Sequence, residues 1–432
     1  MHKHSSGKRS VEILERSKLK LLNLSNDLAY DYFHSGLILV AFALFAIGTL
    51  VHYPVFLMML WGIAFVWKKH DREGYYPLKN ILIMYLSIWL PMLIATVDAV
   101  NLTRAFQTTF LYLHFFPVLV YLVVVGGREK VRFIVAHGLV ALVLFAAADA
   151  LVQLTAGKNL FGYPYEHGLL TGVFYPKQRI GLFCAALLPL VLYVCQGPRV
   201  GKNVQLAIVA LVLIVILLSL KRSAWLMGLV SVVGYLSIYG KKIEGFSLKR
   251  AVSALVFFSF VGVCAFNYSK PLQKQIHNSF VSPLSEIKEI DEASSHRLSL
   301  WQTGLRMMSE NWINGIGPRS YRAAYPEYAS SEDFWMRNSE GGQTHPHWLL
   351  LEVGVEAGLV GLLGLTLFYI LFYRILNSPK LDSTGCAFLL CAGVSWFPLN
   401  MHMAFYGSYW ATFVWLLLGF GMAGYQMREK KG

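Results

Sequence analysis

A chain of 432 residues that is 56% hydrophobic and only 14% charged is not an ordinary soluble protein, because such proteins carry about 25% charged side chains. Its net charge of +14 would suggest nucleic acid in a soluble chain. Here, however, many Lys and Arg flank apolar runs, and no RNA-binding motif or aromatic platform accompanies them, so nucleic acid is set aside. The runs are continuous rather than alternating, which excludes a barrel of short strands and leaves an all-α polytopic membrane protein.

In chain order, residues 1–34 are basic and polar, with a partly helical pattern near Val11 to Leu22. This segment is expected to lack a cleavable leader and to remain attached. Apolar runs of spanning length follow at 35–52, 54–68, 79–97, 108–125, 132–153, 180–196, 204–220, 223–239 and 250–267, so residues 35–267 are expected to hold helices one to nine. Residues 268–349 are too polar for lipid and form one large, partly helical loop before the tenth helix. Runs at 350–373, 384–402 and 408–425 bring the expected total to about twelve, and 426–432 is a short tail.

Counting Lys and Arg in alternate connections orients the bundle. One side receives the N-terminal segment, Lys68 to Arg72, Arg128 to Arg132, Arg199 to Lys202, Lys241 to Arg250, Arg374 to Lys380 and Arg428 to Lys431. By the positive-inside rule that side is cytoplasmic. Both termini are then expected inside and the large loop outside, which in a Gram-negative cell means periplasmic. The five cysteines lie in or beside apolar runs with no metal spacing, so neither a disulfide framework nor a metal site is expected.

Cations on the outer side depart from this pattern. Lys221 and Arg222 stand between two apolar runs with almost no connecting loop; they either snorkel to the interface or form an anion site. Lys177 and Arg179 follow the Thr171-Gly172 turn and precede a span, where they anchor the helix or meet an anionic group. In the large loop, Ser294-Ser295 can cap a helix from Arg297 to about Met308, on which Arg297, Trp301, Leu305 and Met308 share a face. Asn314 to Pro318 breaks the chain, Tyr321 to Tyr328 is a second short aromatic segment, and Ser330 to Gln343 is expected to be mobile.

His347 stands at the outer mouth of the tenth helix. A neutral imidazole there can take a proton from a hydroxyl at neutral pH. Gly354, Gly358 and Gly361 lie on roughly one face of the same helix and would let a neighbouring helix approach closely. Arg222 and Arg297 present planar forks suited to phosphate oxygens and to negative charge on a leaving group; Arg319 is a further candidate for phosphate contacts, and His345 for a supporting role beside His347. Glu352 and Glu356 share a helical face and could orient an arginine or the histidine, or only line a polar bundle interior.

These residues resemble a family. Arg297, Trp301, Asn311 to Gly317, Tyr325-Pro326 and His345-Pro346-His347 look like the O-antigen ligase and polymerase superfamily of bacterial glycan assembly. His347 is followed by Trp348, nine residues, Gly358, two residues and Gly361, which matches the family's spacing with Trp348 in place of a polar residue. Lys221-Arg222-Ser223-Ala224 resembles its Ser-Arg-Gly-Ala segment, and Thr171 to Pro176 its Thr-Gly-x-Phe-x-x-Pro loop, with Leu169 where an arginine is usual.

The resemblance implies a lipopolysaccharide O-antigen ligase of the bacterial inner membrane. Its donor would be undecaprenyl-pyrophosphate-linked O-antigen and its acceptor lipid A–core. His347, Arg222 and Arg297 would be catalytic, and Lys177, Arg179, Arg319, Lys221 and His345 would bind substrate, with no cofactor and no metal. The alternatives are O-antigen polymerase, protein O-oligosaccharyltransferase and a non-enzymatic lipid-linked glycan transporter. In a transporter, Asp98, Asp149, Glu352 and Glu356 would line a passage.

Overall fold

The computed structural model describes residues 27–67, 76–197, 200–239, 262–263, 266–267, 269–274, 291, 294–338, 341–400 and 403–425. Among them the secondary structure is helical, with only isolated β-bridges. The predicted run at 250–267 lies almost wholly outside the described residues, as do 1–26 and 426–432. Six helical segments are long and apolar enough to cross a membrane, and five shorter apolar helices accompany them. The chain is a polytopic helical membrane protein.

The elements are α1 (Asp27–Ile47), α2 (Thr49–Trp67), α3 (Tyr76–Thr96), α4 (Leu102–Tyr112), α5 (Phe115–Gly126), α6 (Glu129–Ala156), α7 (Ile180–Cys195), α8 (Lys202–Leu218) and α9 (Arg222–Gly234). The large loop contributes α10 (Arg297–Glu310), α11 (Tyr321–Tyr328) and α12 (Phe334–Asn338), and α13 (Leu349–Leu376), α14 (Ser383–Ser395) and α15 (Ser408–Met422) follow. α7 is buried along nearly its whole length and packs on α6, α8, α9 and α14. A helix apolar all round belongs at the centre of a bundle. At one end of that bundle, Arg128 pairs with Asp27 and Asp31, and Arg132 with Asp382 at 3.0 Å.

Two single runs read from the sequence are broken helices. The run at 108–125 divides between α4 and α5 at Leu113-His114. Pro117 is the cause: it has no N–H for the Leu113 carbonyl, and its ring would clash there. α4 then turns three faces to three surroundings. Ala105, Thr109 and Tyr112 are buried, Leu102, Phe106 and Phe110 are exposed, and Arg104, Gln107 and Thr108 point to a cavity.

The second break is in α13. Gly358 adopts φ 60°, ψ −155° in mid-helix, so the expected continuous small-residue face does not exist. The break frees backbone groups on both sides, and the loop before α11 engages them. Ile316 and Gly317 donate N–H to the Val355 and Glu356 carbonyls at 2.9 and 3.0 Å, while Leu359 and Val360 donate to Trp312 and Ile313 at 2.8 and 3.1 Å. Freed polar backbone that is buried must be satisfied by such partners. At Gly315 a Cβ would meet the Ala357 nitrogen at 2.5 Å, which is why this approach requires glycine. Below the break, Gly364 lies against the Ser87 carbonyl and lets α13 close on α3.

The polar loop is built more tightly than its composition implies. Ser294 Oγ accepts from Arg297 N–H at 3.0 Å, and Asp291 accepts from Leu298 and Ser299, so the start of α10 is satisfied from two sides. The tract expected to be mobile is ordered by Asp333 among its described residues. That buried carboxylate accepts from Trp335 N–H at 2.9 Å, Met336 N–H at 3.1 Å and the Tyr325 hydroxyl at 3.0 Å.

Candidate functional site

The site begins at the last turns of α6. Gln153, fully buried, accepts N–H bonds from Thr171 and Gly172 at 3.0 and 2.8 Å and donates to the Pro164 carbonyl at 3.0 Å. Asp149 accepts from Asn159 Nδ2 and Leu160 N–H at 3.0 and 2.9 Å. The loop that carries Lys177 and Arg179 is thereby fixed to one helix at Asn159, Leu160, Pro164, Thr171 and Gly172. The Arg179 guanidinium then lies 3.9 Å over the Tyr409 ring, a cation–π contact. The Tyr409 hydroxyl is held in turn by the Phe45 carbonyl at 2.9 Å.

Lys221 and Arg222 stand at the hinge between α8 and α9, just after Leu220, whose φ is 56°. Across from them is the first turn of α10. Arg297 lies close enough to Lys221 and Arg222 to oppose their charge. Burial, with Arg297 adding to it, pushes the Lys221 ammonium below the usual lysine range. Burial and Arg222 likewise lower Arg297.

One turn along α10, Trp301 Nε1 donates to the Pro346 carbonyl at 3.1 Å. This bond brings the His345-Pro346-His347 tract to the helix. The His345 and His347 rings lie 4.0 Å apart, and His347 takes φ 54°. Left-handed backbone at a non-glycine residue costs roughly 1–2 kcal/mol. It recurs here at Leu220, His347 and Arg319, whose φ is 61°; such strain gathers at sites where side-chain direction matters.

These pieces surround a cavity of about 730 Å³. Arg104, Lys177, Arg179, Lys221 and Arg319 line it, together with His345, and no Asp or Glu does. Among the described residues, none of those five cations, nor Arg222 or Arg297, is in an ion pair with a carboxylate. Five of the predicted residues thus share one wall: Lys177, Arg179, Lys221, Arg319 and His345. His347, Arg222 and Arg297 do not line the cavity; His347 adjoins it through His345, and the two arginines adjoin it through Lys221. Among the described residues no three His, Cys, Asp or Glu converge as metal ligands.

Sequence reasoning missed Arg104, although Arg104, Gln107, Thr108 and Leu111 recur at helical spacing and line the cavity together. It also missed Tyr409, which nothing in its local sequence distinguishes from an interfacial aromatic.

The Lys221 environment yields a prediction of opposite signs. A lysine whose folded pKa is depressed binds fewer protons than in the unfolded chain, so stability rises with pH as that proton is shed. Lys221→Met is therefore expected to raise the melting temperature of the detergent-solubilised protein at pH 7 while weakening its stabilisation by added pyrophosphate. Thermal melts with and without pyrophosphate read both effects.

Residues 207–366 match a family model described as O-antigen ligase. No curated protein matches the chain.

Proposed function

We propose, from the match of residues 207–366 to a family model described as O-antigen ligase, that the chain is a lipopolysaccharide O-antigen ligase. It transfers O-antigen from undecaprenyl pyrophosphate to a sugar hydroxyl of lipid A–core. The observation that carries this reading is the cavity lined by five cations and no carboxylate. Guanidinium and ammonium groups that form no ion pair with a carboxylate, in a partly dehydrated hollow, suit a diphosphate.

In the proposed reaction, His347 takes the proton from the acceptor hydroxyl. The acceptor oxygen attacks the anomeric carbon from the face opposite the diphosphate. The anomeric carbon–oxygen bond to phosphate breaks, and its electron pair leaves with undecaprenyl pyrophosphate. Arg222 and Arg297 hold the charge that develops, with Lys221, Lys177, Arg179 and Arg319 along the wall and His345 supporting His347. One direct displacement inverts the anomeric configuration. The chain's own cations take the part that a metal plays elsewhere.

The proposed setting is the inner membrane. About twelve spans are arranged with both termini cytoplasmic: helices one to nine fall within 35–267, the periplasmic loop is 268–349, and the last three helices lie within 350–425. A transporter is less well supported, because each acid that would line a passage is engaged within the chain. Asp98 accepts from Asn314 at 2.9 Å, Asp149 from Asn159 and Leu160, Glu352 from Phe405 and Tyr406, and Glu356 from Arg319.

Silver-stained lipopolysaccharide from a deletion strain tests the assignment. Bare core, with polymerised glycan left on its carrier lipid, is the result expected. Core bearing a single repeat would identify a polymerase instead, and an unaltered ladder would defeat both.

A further inference from the structure

The half-helix of α13 before its break carries two fully buried carboxylates, Glu352 and Glu356. Neither is in an ion pair among the described residues; both accept backbone N–H bonds from segments of the cavity wall. Glu356 Oε2 accepts from Arg319 N–H at 2.6 Å, and the Glu356 carbonyl accepts from Gly317 N–H at 3.0 Å. The turn that places Arg319 in its left-handed conformation is thus held at two points by one residue. Glu352 does the same for another wall: its two oxygens accept from Phe405 and Tyr406 N–H at 3.0 and 3.3 Å. Arg319 and Tyr406 both line the cavity.

The Arg319 guanidinium leaves one nitrogen, Nη1, and the Glu356 carboxylate one oxygen, Oε1, buried with no hydrogen-bond partner. A buried, charged N–H without an acceptor is costly unless something else is to meet it. Glu352 and Glu356 both lie close enough to feel the Arg319 charge, yet the hydrogen bond that Glu356 makes to Arg319 is to its backbone N–H, which fixes the arginine without engaging its fork.

We propose that Glu356 and Glu352 are positioning residues, tying the Arg319 and Tyr406 walls to one rigid half-helix so that the Arg319 side chain is held at the cavity wall for a phosphate oxygen of the donor. The inference rests on the diphosphate reading of the cavity and extends it to two acids that touch no substrate. Neutralising Arg319 is the competing role for Glu356, and chemistry separates the two. Gln keeps an oxygen at the same reach without the charge. Asp keeps the charge but is one methylene too short to hold the bond.

The experiment is titration of the full-length, detergent-purified protein with inorganic pyrophosphate, followed by calorimetry, for Glu356→Gln, Glu356→Asp, Arg319→Ala and the double variant Glu356→Asp/Arg319→Ala. A tie predicts that Gln binds within about threefold of the unsubstituted protein and that Asp binds about tenfold weaker or worse, the scale of a lost charge-assisted hydrogen bond. The double variant should bind no more weakly than Arg319→Ala alone, because Glu356 acts through Arg319. The same order, Gln above Asp, is expected at Glu352.

Asp equal to or better than Gln would overturn the proposal, as would additive losses in the double variant. If the unsubstituted protein itself fails to bind pyrophosphate, the diphosphate reading of the cavity falls, and this inference falls with it. Binding by the unsubstituted protein that the Glu356 substitutions leave unchanged would sink the positioning role alone.

Discussion

Replacing His347 with Ala is expected to lower glycan transfer by about 10² to 10⁴-fold, the range that a positioned general base contributes, while the protein stays folded and still binds pyrophosphate. The second half of that expectation is what makes it diagnostic. His347 does not line the cavity, and the cations that do are untouched by the substitution. Its loss should therefore appear in kcat with little change in apparent donor affinity. His345→Ala makes the comparison: it lies on the wall, beside His347 at 4.0 Å between rings, and should act through the orientation of its neighbour with a smaller loss. Near-normal capping of lipid A–core by the His347 variant would remove the proposed base.

The largest structural effect is expected at Gly358. Its φ of 60° with ψ −155° is a region that only glycine occupies readily, and a Cβ there would overlap the Ile313 carbonyl. Strain and overlap together put Gly358→Ala at about 3 kcal/mol or more of destabilisation. The comparison is Gly201→Ala, where φ is −64°, no heavy atom lies within 4 Å of an added Cβ and the residue caps α8, so a loss of no more than about 1 kcal/mol is expected. Melting of the two variants side by side in one detergent checks it. Equal melting temperatures would mean that the α13 break is not needed for the fold.

Much of the helical plan was legible because lipid imposes a simple rule: a long apolar run must satisfy its own backbone, and only a helix does so. The start of α10 was legible for a similar reason, since Ser294 precedes an amphipathic stretch and does accept from Arg297 N–H. The breaks were not. Pro117 divides α4 from α5 by a missing donor, a signal present in the sequence but outweighed there by continuous hydropathy. Gly358 breaks α13 only because the 312–317 tract is there to take its freed N–H and carbonyl groups, and no local pattern reports that pairing.

The candidate site divides in the same way. The cations and histidines could be picked out by residue type and by the connections that carry them. That Lys177, Arg179, Lys221, Arg319 and His345 share one hollow depends on where α4, α10 and α15 pack, and Arg104 and Tyr409 enter only through that packing. Glu352 and Glu356 had the right spacing for a common role, but their partners are backbone N–H groups, which sequence does not distinguish.

The interlocking of residues 312–317 with 355–360 has a consequence for the order of synthesis. The first tract leaves the ribosome before the second, so the donors and acceptors of this ladder wait for their counterparts. The hollow is finished only when α15 brings Tyr409 beneath Arg179. A chain stopped after Asn338 would hold most of its cations yet have no completed pocket, and proteolysis of such a truncation in membranes should cut first within 312–317.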